Sequence, residues 1–258
     1  VGLVPTMGYL HEGHASLVKA AKASCDRVVV SVFVNPTQFG PNEDLESYPR
    51  DFEHDCALLE DLGTDLVFHP ELTELYFPDA STWVEVPSLA QNLCAKTRPT
   101  HFRGVCTVVS KLFHIAAPDK AFFGQKDAQQ LAVIRRMVRD LNFDLEIVGC
   151  PIVREADGLA KSSRNTYLNP KERQAALVLN HSLKKAYSLI EAGETDTNKL
   201  LAVIKESIAA EPLAKLDYAE AVDADSMKPL AAVTGNVLFA IAVYIGKTRL
   251  IDNFLVSR

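Results

Sequence analysis

Short β-branched runs and stretches of helical spacing alternate along the first half of this chain. Residues 1–4 form a brief apolar run stopped by Pro5, and from His11 onward the spacing becomes helical. Residues 15–25 place Leu17, Val18, Ala21 and Cys25 on one face, which predicts an amphipathic helix. Residues 27–34 (R-V-V-V-S-V-F-V) show little alternation, and so predict a strand buried on both faces of a parallel sheet. The same reading predicts a helix over 51–62, strands at 66–69 and 82–86, and a helix over 105–117. A strand at 121–123, a helix with Leu131, Ile134, Val138 and Leu141 on one face, and a strand at 145–148 complete the series. Repeated strand–helix–strand units predict a Rossmann-like, doubly wound parallel sheet.

From Pro151 the character changes. N-P-K-E at residues 169–172 is a helix start, and one helix is expected to run to about Gly193. A helix over 197–210 and strands at 216–222, 236–245 and 248–255 follow. The expected organisation is α/β, with a Rossmann-like domain over 1–151. A smaller α+β C-terminal domain over 152–258 is expected to close over it.

Composition narrows the function classes. A length of 258 residues suits one large domain or two smaller ones. With 48% hydrophobic and 23% charged residues, and no apolar run near membrane-spanning length, a soluble globular protein is expected, with no membrane partner. The net charge of −6 argues against nucleic acid and requires any phosphate site to be locally positive. Five scattered cysteines without a C-x-x-C pair predict free thiols rather than disulfides or a zinc cluster. The chain opens on a strand, without Met and without a signal peptide, so an N-terminal truncation and a cytoplasmic location are expected.

Candidate chemistry concentrates where strands give way to helices. Residues 1–14 read V-G-L-V-P-T-M-G-Y-L-H-E-G-H, a strand, a Gly-containing turn and a helix start. Helix N-termini offer unpaired N–H groups and a positive dipole end to an anion. His11 and His14 share a face of the first turn, and Gly13 leaves room for a flat group against the backbone. Ordinary surface structure is the plain alternative, and a zinc site the other, although zinc proteases space their histidines at i and i+4. Gln38 follows the second strand, where an amide can bind a hydroxyl and a carboxylate together, and N-P-T-Q is also simple turn chemistry. The polar residues 40–50 read as a lid or a disordered loop. His101 and Arg103, in a loop ending at Gly104, could meet an anion or simply be solvated, and a structural or substrate-wall role is the favoured reading. Lys126 and Asp127 stand at a strand end and helix start, with Gln130 one turn on, and a Lys placed against the helix dipole suits a phosphate. Around Gly158 a mobile loop is expected, leading to K-S-S-R at 161–164, whose hydroxyls and guanidinium suit phosphate oxygens.

Seven blocks now stand in order: P-T-M-G-Y-L-H-E-G-H, F-V-N-P-T-Q-F, D-L-E-S-Y-P-R, P-T-H-F-R-G-V, F-F-G-Q-K-D-A-Q-Q-L, V-R-E-A-D-G-L-A-K-S-S-R-N and T-R-L-I-D-N. Together they resemble the pantoate–β-alanine ligases of the HIGH-type nucleotidyltransferases, over essentially the whole chain. The resemblance implies ATP, pantoate and β-alanine as substrates, Mg²⁺ as cofactor and a homodimer. It implies a pantoyl-adenylate route, with pyrophosphate and AMP released. His11, His14, Lys126 and Arg164 would then supply catalytic charge. Pro5, Thr6, Met7, Gly8, Gly13, Gly124, Asp127 and Val153 would line the nucleotide site, and Lys161, Ser162 and Ser163 would hold phosphates. Gln38 and Gln130 would clamp pantoate. Some relatives carry an acidic residue at the position of His54, which leaves Asp55 as the metal candidate, and some carry Met or Leu at that of Lys161. Rival readings are a nucleotidyltransferase acting on a phosphorylated acceptor, which releases no AMP, and a catalytically silent nucleotide-binding module.

Overall fold

A computed structural model of the chain describes residues 1–41 and 43–258; Asn42, within the expected lid, lies outside the described residues. Two compact units emerge: Val1–Ala90 with Ala95–Val153, and Gln91–Cys94 with Arg154–Arg258.

The first unit runs β1 (Gly2–Thr6), α1 (Glu12–Ser24), β2 (Val28–Val32), α2 (Phe52–Asp61), β3 (Leu66–Phe68) and the short α3 (Leu72–Leu75). The chain re-enters it through the short α4 (Cys94–Thr97), then forms α5 (His101–Ala116), β4 (Lys120–Gly124), α6 (Ala128–Asp140) and β5 (Glu146–Cys150). All five strands pair in parallel, in the order β3-β2-β1-β4-β5. Both faces of the sheet are covered, as neighbouring residues of β4 show. Phe122 joins Val28, Val30 and Val32 of β2, Leu17, Val18 and Ala21 of α1 and Leu59 of α2 in one core. Phe123, pointing the opposite way by strand geometry, meets Phe113 of α5 edge to face at 6.5 Å. The doubly wound α/β architecture expected from the apolar pattern is present.

Local boundaries differ for physical reasons. Residues 82–86 form no strand: the Val84 N–H donates to Thr107 Oγ1 at 3.1 Å, and Trp83 lies under the Arg103 guanidinium at 4.6 Å. Helix α1 begins at Glu12 with His11 as its cap, in keeping with the helical spacing expected from His11 onward. Helix α5 begins at His101 rather than residue 105, with Gly104 inside it instead of ending a loop. Leu141, expected on the apolar face of α6, is its exposed C-cap.

The second unit contains α7 (Pro170–Ala175), α8 (Leu177–Glu191), α9 (Thr197–Ala209), β6 (Ala214–Asp223), β7 (Asn236–Ile245) and β8 (Thr248–Ser257). Its sheet is antiparallel, ordered β6-β7-β8. Val237, Phe239, Ile241, Val243 and Ile245 alternate along β7 and pack on Leu179, Leu183 and Ile190 of α8 and Leu200, Ile204 and Ile208 of α9. The single helix expected from residue 170 is divided at Ala176, where the Leu179 N–H reaches back to the Ala176 carbonyl, a tighter 3-10 bond. Among the described residues no helix is long and apolar enough to cross a membrane.

Gly104 is where α5 meets the turn that carries Gln38. A Cβ there would run into the Thr37 carbonyl, which is backbone and cannot rotate away. Gly104→Ala is expected to lose roughly 1–3 kcal/mol of stability in urea denaturation. An unchanged midpoint would mean that the two segments part easily.

Candidate active site

The order of strands reverses between β1 and β4: the chain winds from β1 to β3 in one direction and from β4 to β5 in the other. At such a switch point the carboxyl ends of the strands leave a crevice for ligands. β1 ends at Thr6 and β4 at Gly124, so residues 7–14 and the 3-10 turn Gln125–Asp127 both leave the sheet there.

The first turn is tightly specified. Thr6 Oγ1 donates to the Ser31 carbonyl at 2.7 Å and accepts the Gly8 N–H at 3.2 Å. Gly8 (φ +82°) and Tyr9 (φ +50°) are both left-handed. Backbone turned this way aims successive N–H groups at one point, an anion-binding concavity. Here a carboxylate of the protein fills it: the Leu10 and Tyr9 N–H groups donate to Asp55 Oδ1 at 2.6 Å and Oδ2 at 2.8 Å. A Cβ on Gly8 would lie 3.0 Å from both Asp55 Oδ2 and Val32 Cγ1. Burial pushes the Asp55 carboxyl pKa up, and the two amide donors pull partly against it.

The histidines cap α1. His11 Nδ1 accepts the Gly13 N–H at 3.0 Å, and His14 Nδ1 accepts the His11 N–H at 3.3 Å, a capping box built from two imidazoles. A backbone N–H can only donate, so each ring carries its hydrogen on Nε2 in this arrangement. The rings lie 4.1 Å apart between centroids. Burial, then His11 and Lys126, hold the His14 pKa well below the ordinary histidine value. His14 is therefore a neutral N–H donor, not the positive charge expected of it.

Gln38 is buried, and its orientation is fixed from several sides. Asn35 Nδ2 donates to Gln38 Oε1 at 3.1 Å, leaving Nε2 as the donor end, which meets the Met7 sulfur at 3.0 Å. The Gln38 carbonyl bonds His101 Nδ1 at 2.8 Å and accepts Arg98 Nη2 at 3.2 Å. Arg98 is itself forked onto Glu43, from the stretch expected to be a lid, with both contacts at 2.6 Å. Burial, then Arg98, lowers the His101 pKa to about 3, against the Gln38 carbonyl, Glu43 and Asp127, which raise it.

Lys126 lies in the 3-10 turn before α6, rather than in its first turn, with Asp127 Oδ2 3.5 Å from its Nζ. Gln130 lies partly exposed in the first turn of α6. At Gly124 a Cβ would meet nothing within 4 Å, so the backbone there faces open space. Pro5 and Thr6 end β1, Gly13 is in the first turn of α1, and Val153, partly buried, is the last residue of the first unit.

The K-S-S-R loop belongs to the second unit. Ser162 caps a 3-10 turn, Ser163–Tyr167, by accepting the Arg164 N–H at 3.3 Å. Lys161 pairs with Glu155 at 3.1 Å. The preceding loop, expected to be mobile, is a closed hairpin in which Arg154 and Ala160 pair antiparallel.

Asp55 has a different occupation from the metal ligand expected of it, because it is 1% exposed and each oxygen already accepts a backbone amide. Among the described residues no three His, Cys, Asp or Glu gather as a metal site.

Residues 1–255 match the family model described as pantoate-beta-alanine ligase. The chain belongs to the pantoate–β-alanine ligase family. A pantothenate synthetase of Clostridium botulinum (strain Loch Maree / Type A3) is 57% identical over 98% of this chain and 90% of that relative. One from Enterococcus faecalis is 58% identical over the same shares. The crystal structure of pantothenate synthetase from Thermus thermophilus superposes with a TM-score of 0.94 at 46% identity, over 98% of this chain and 92% of that one. The pantoate-β-alanine ligase of Francisella tularensis, solved with β-γ ATP and β-alanine, gives 0.78 at 37% identity, over 98% and 88%.

Within this ligase-family chain, sequence reasoning did not find Asn35, Arg98 and Glu43 as the residues that set Gln38, nor Asp55 as the turn's anchor. N-P-T-Q carried the signal for Asn35, since Asn is a favoured cap before Pro.

Two outcomes follow from these contacts. Asp55→Asn keeps the shape but turns one acceptor into a donor facing an N–H, and should cost about 1.5–3 kcal/mol in urea denaturation. Unchanged stability would remove the clamp. Because the folded-state pKa of His101 is depressed, its contribution is present above about pH 6.5 and fades as pH falls toward about 3. Urea midpoints should therefore fall more steeply on acidification in the parent than in His101→Gln, and parallel profiles would refute this.

Proposed function

We infer that this chain is an ATP-dependent ligase that condenses pantoate with β-alanine to give pantothenate. The observation that carries the reading is the pairing of a histidine-capped helix start with Lys126 at the β1/β4 switch point, in a chain of the pantoate–β-alanine ligase family. In the first step a pantoate carboxylate oxygen attacks the α-phosphorus of ATP. The bond to the β-phosphate oxygen breaks, and pyrophosphate leaves with the electron pair. In the second the β-alanine amine attacks the acyl carbon, the bond to the phosphate oxygen breaks, AMP leaves, and the new amide sheds a proton.

Attack by an anion on a polyanion needs in-line placement and charge stabilisation more than proton transfer. We assign His11 and His14 as Nε2–H donors to the phosphates, Lys126 as the cation between attacking and leaving groups, and Arg164 with Lys161, Ser162 and Ser163 to the leaving phosphates. Pro5, Thr6, Met7, Gly8, Gly13, Gly124, Asp127 and Val153 would line the nucleotide. Gln38 and Gln130 would clamp pantoate; a carboxylate is a stronger acceptor for Gln38 Nε2 than the Met7 thioether now beside it. Mg²⁺ would arrive on the ATP phosphates, as is usual for this ion with nucleotides, neutralising their charge. A cytoplasmic homodimer completes the reading; five free cysteines suit a reducing compartment, and sedimentation equilibrium tests the assembly state.

AMP release is measured with ATP, Mg²⁺, pantoate and β-alanine, omitting each in turn. AMP should require both acceptors, while pantoate alone supports exchange of labelled pyrophosphate into ATP. Lys126→Ala and His14→Ala should each lose roughly a hundred- to a thousand-fold in rate while remaining folded. Exchange without pantoate, or near-parent turnover in either variant, would overturn the assignment.

A further inference from the structure

The hairpin that leads into the K-S-S-R loop is joined to the second unit's own sheet through one part-buried fork, in which Asp252 is buried and Arg154 partly exposed. Arg154 Nη1 and Nη2 donate to Asp252 Oδ2 and Oδ1, each at 2.8 Å, and Nη1 also donates to the Gly158 carbonyl at 3.0 Å. Asp252 lies within β8 with a side chain 1% exposed, and its Oδ1 takes the Asn253 N–H as well, at 2.8 Å. One guanidinium thus holds both a strand of the sheet and the tip of the hairpin. The hairpin itself is closed by Glu155 N–H to Leu159 carbonyl at 2.8 Å and Gly158 N–H to Glu155 carbonyl at 2.9 Å. Its far end is held by Asn165 Nδ2 on the Ala160 carbonyl at 3.0 Å, so residues 161–164 are bracketed by fixed backbone.

An ion pair is a poor device for stability alone, because desolvation of its buried member offsets much of the attraction and solvent screens its partly exposed one. What a bidentate guanidinium–carboxylate fork adds is direction and distance. We propose that Arg154 and Asp252 are positioning residues for the phosphate loop, setting the register of residues 155–164 so that Ser162, Ser163 and Arg164 meet the ATP phosphates as one preformed group. This rests on the reading that the K-S-S-R loop serves those phosphates.

The test compares the full-length parent with Asp252→Asn and Arg154→Lys, and uses Ser162→Ala and Arg164→Ala to check the underlying reading. Pyrophosphate exchange gives KM for ATP, amide hydrogen exchange at Glu155 reports the hairpin, and single-turnover reaction of synthetic pantoyl adenylate with β-alanine reports the second step. Both fork variants should exchange the Glu155 amide faster and raise KM for ATP by roughly ten- to a hundredfold, with the adenylate-consuming step retained. A general loss of folding would move both half-reactions, so a parallel fall in the two overturns the proposal. So does a parent-like KM for ATP in the fork variants while Ser162→Ala and Arg164→Ala raise it. If those two leave KM for ATP unchanged, the phosphate-loop reading fails first and takes the proposal with it. Should Asp252→Asn not fold, Arg154→Lys carries the test, since it keeps a cation beside Asp252 and removes only the fork.

Discussion

The first unit's site depends on a carboxylate buried beneath a turn. Left-handed backbone comes freely to Gly8 but is costly for Tyr9, which carries a Cβ, and the adjacent N–H groups of Tyr9 and Leu10 need acceptors inside the fold. Asp55 supplies both acceptors from the start of α2. With the turn fixed, the first residues of α1 are fixed as well, and the two histidines that follow have no freedom to rotate, since each Nδ1 is used in capping. The ring edges bearing Nε2–H are thus set by backbone hydrogen bonds. Donors arranged before the substrate arrives need no reorganisation when charge moves, which is the main electrostatic advantage of a folded site over water.

The same logic recurs at Gln38. A buried amide side chain could present either end to a ligand, and the choice here is made by Asn35, which occupies the carbonyl end. The backbone beneath is gripped by His101 and Arg98, and Arg98 is steadied by Glu43. Gly104 lets α5 approach this turn closely enough for His101 to reach it. Polar groups in a dry interior are expensive when unpaired, and this set is paired throughout, so it can act as rigid framework.

Much of this was legible in the chain. The β-branched run of β2 announced a two-faced parallel sheet, and the order of motifs announced the family, because both are written in local spacing. What stayed hidden depends on contacts between residues far apart in sequence. Asp55 reads locally as an acid on a helix, and nothing nearby says that its partners are the amides of Tyr9 and Leu10. Residues 82–86 have strand-like composition, but Thr107 takes the Val84 amide that a ladder would have used. Gly and small polar residues at 154–160 suggest freedom, whereas Arg154 is forked to a carboxylate far along the chain.

The protonation state of the histidines bears on how an acidic chain can receive a polyanion. Three cations crowded at the β1/β4 switch point would repel one another before any nucleotide arrived, at a cost to folding. Burial is the main cause that holds the His14 pKa down, and the smaller pull of His11 and then Lys126 is that repulsion seen from one member. Leaving His14 neutral removes the conflict and keeps the Nε2–H as a donor. The positive potential is then concentrated on Lys126 and on the amino end of α1, whose dipole needs no counter-ion. A crevice built this way is held mainly by hydrogen bonds to backbone, and on the proposed reading its attraction for phosphate would be realised when the phosphate is present.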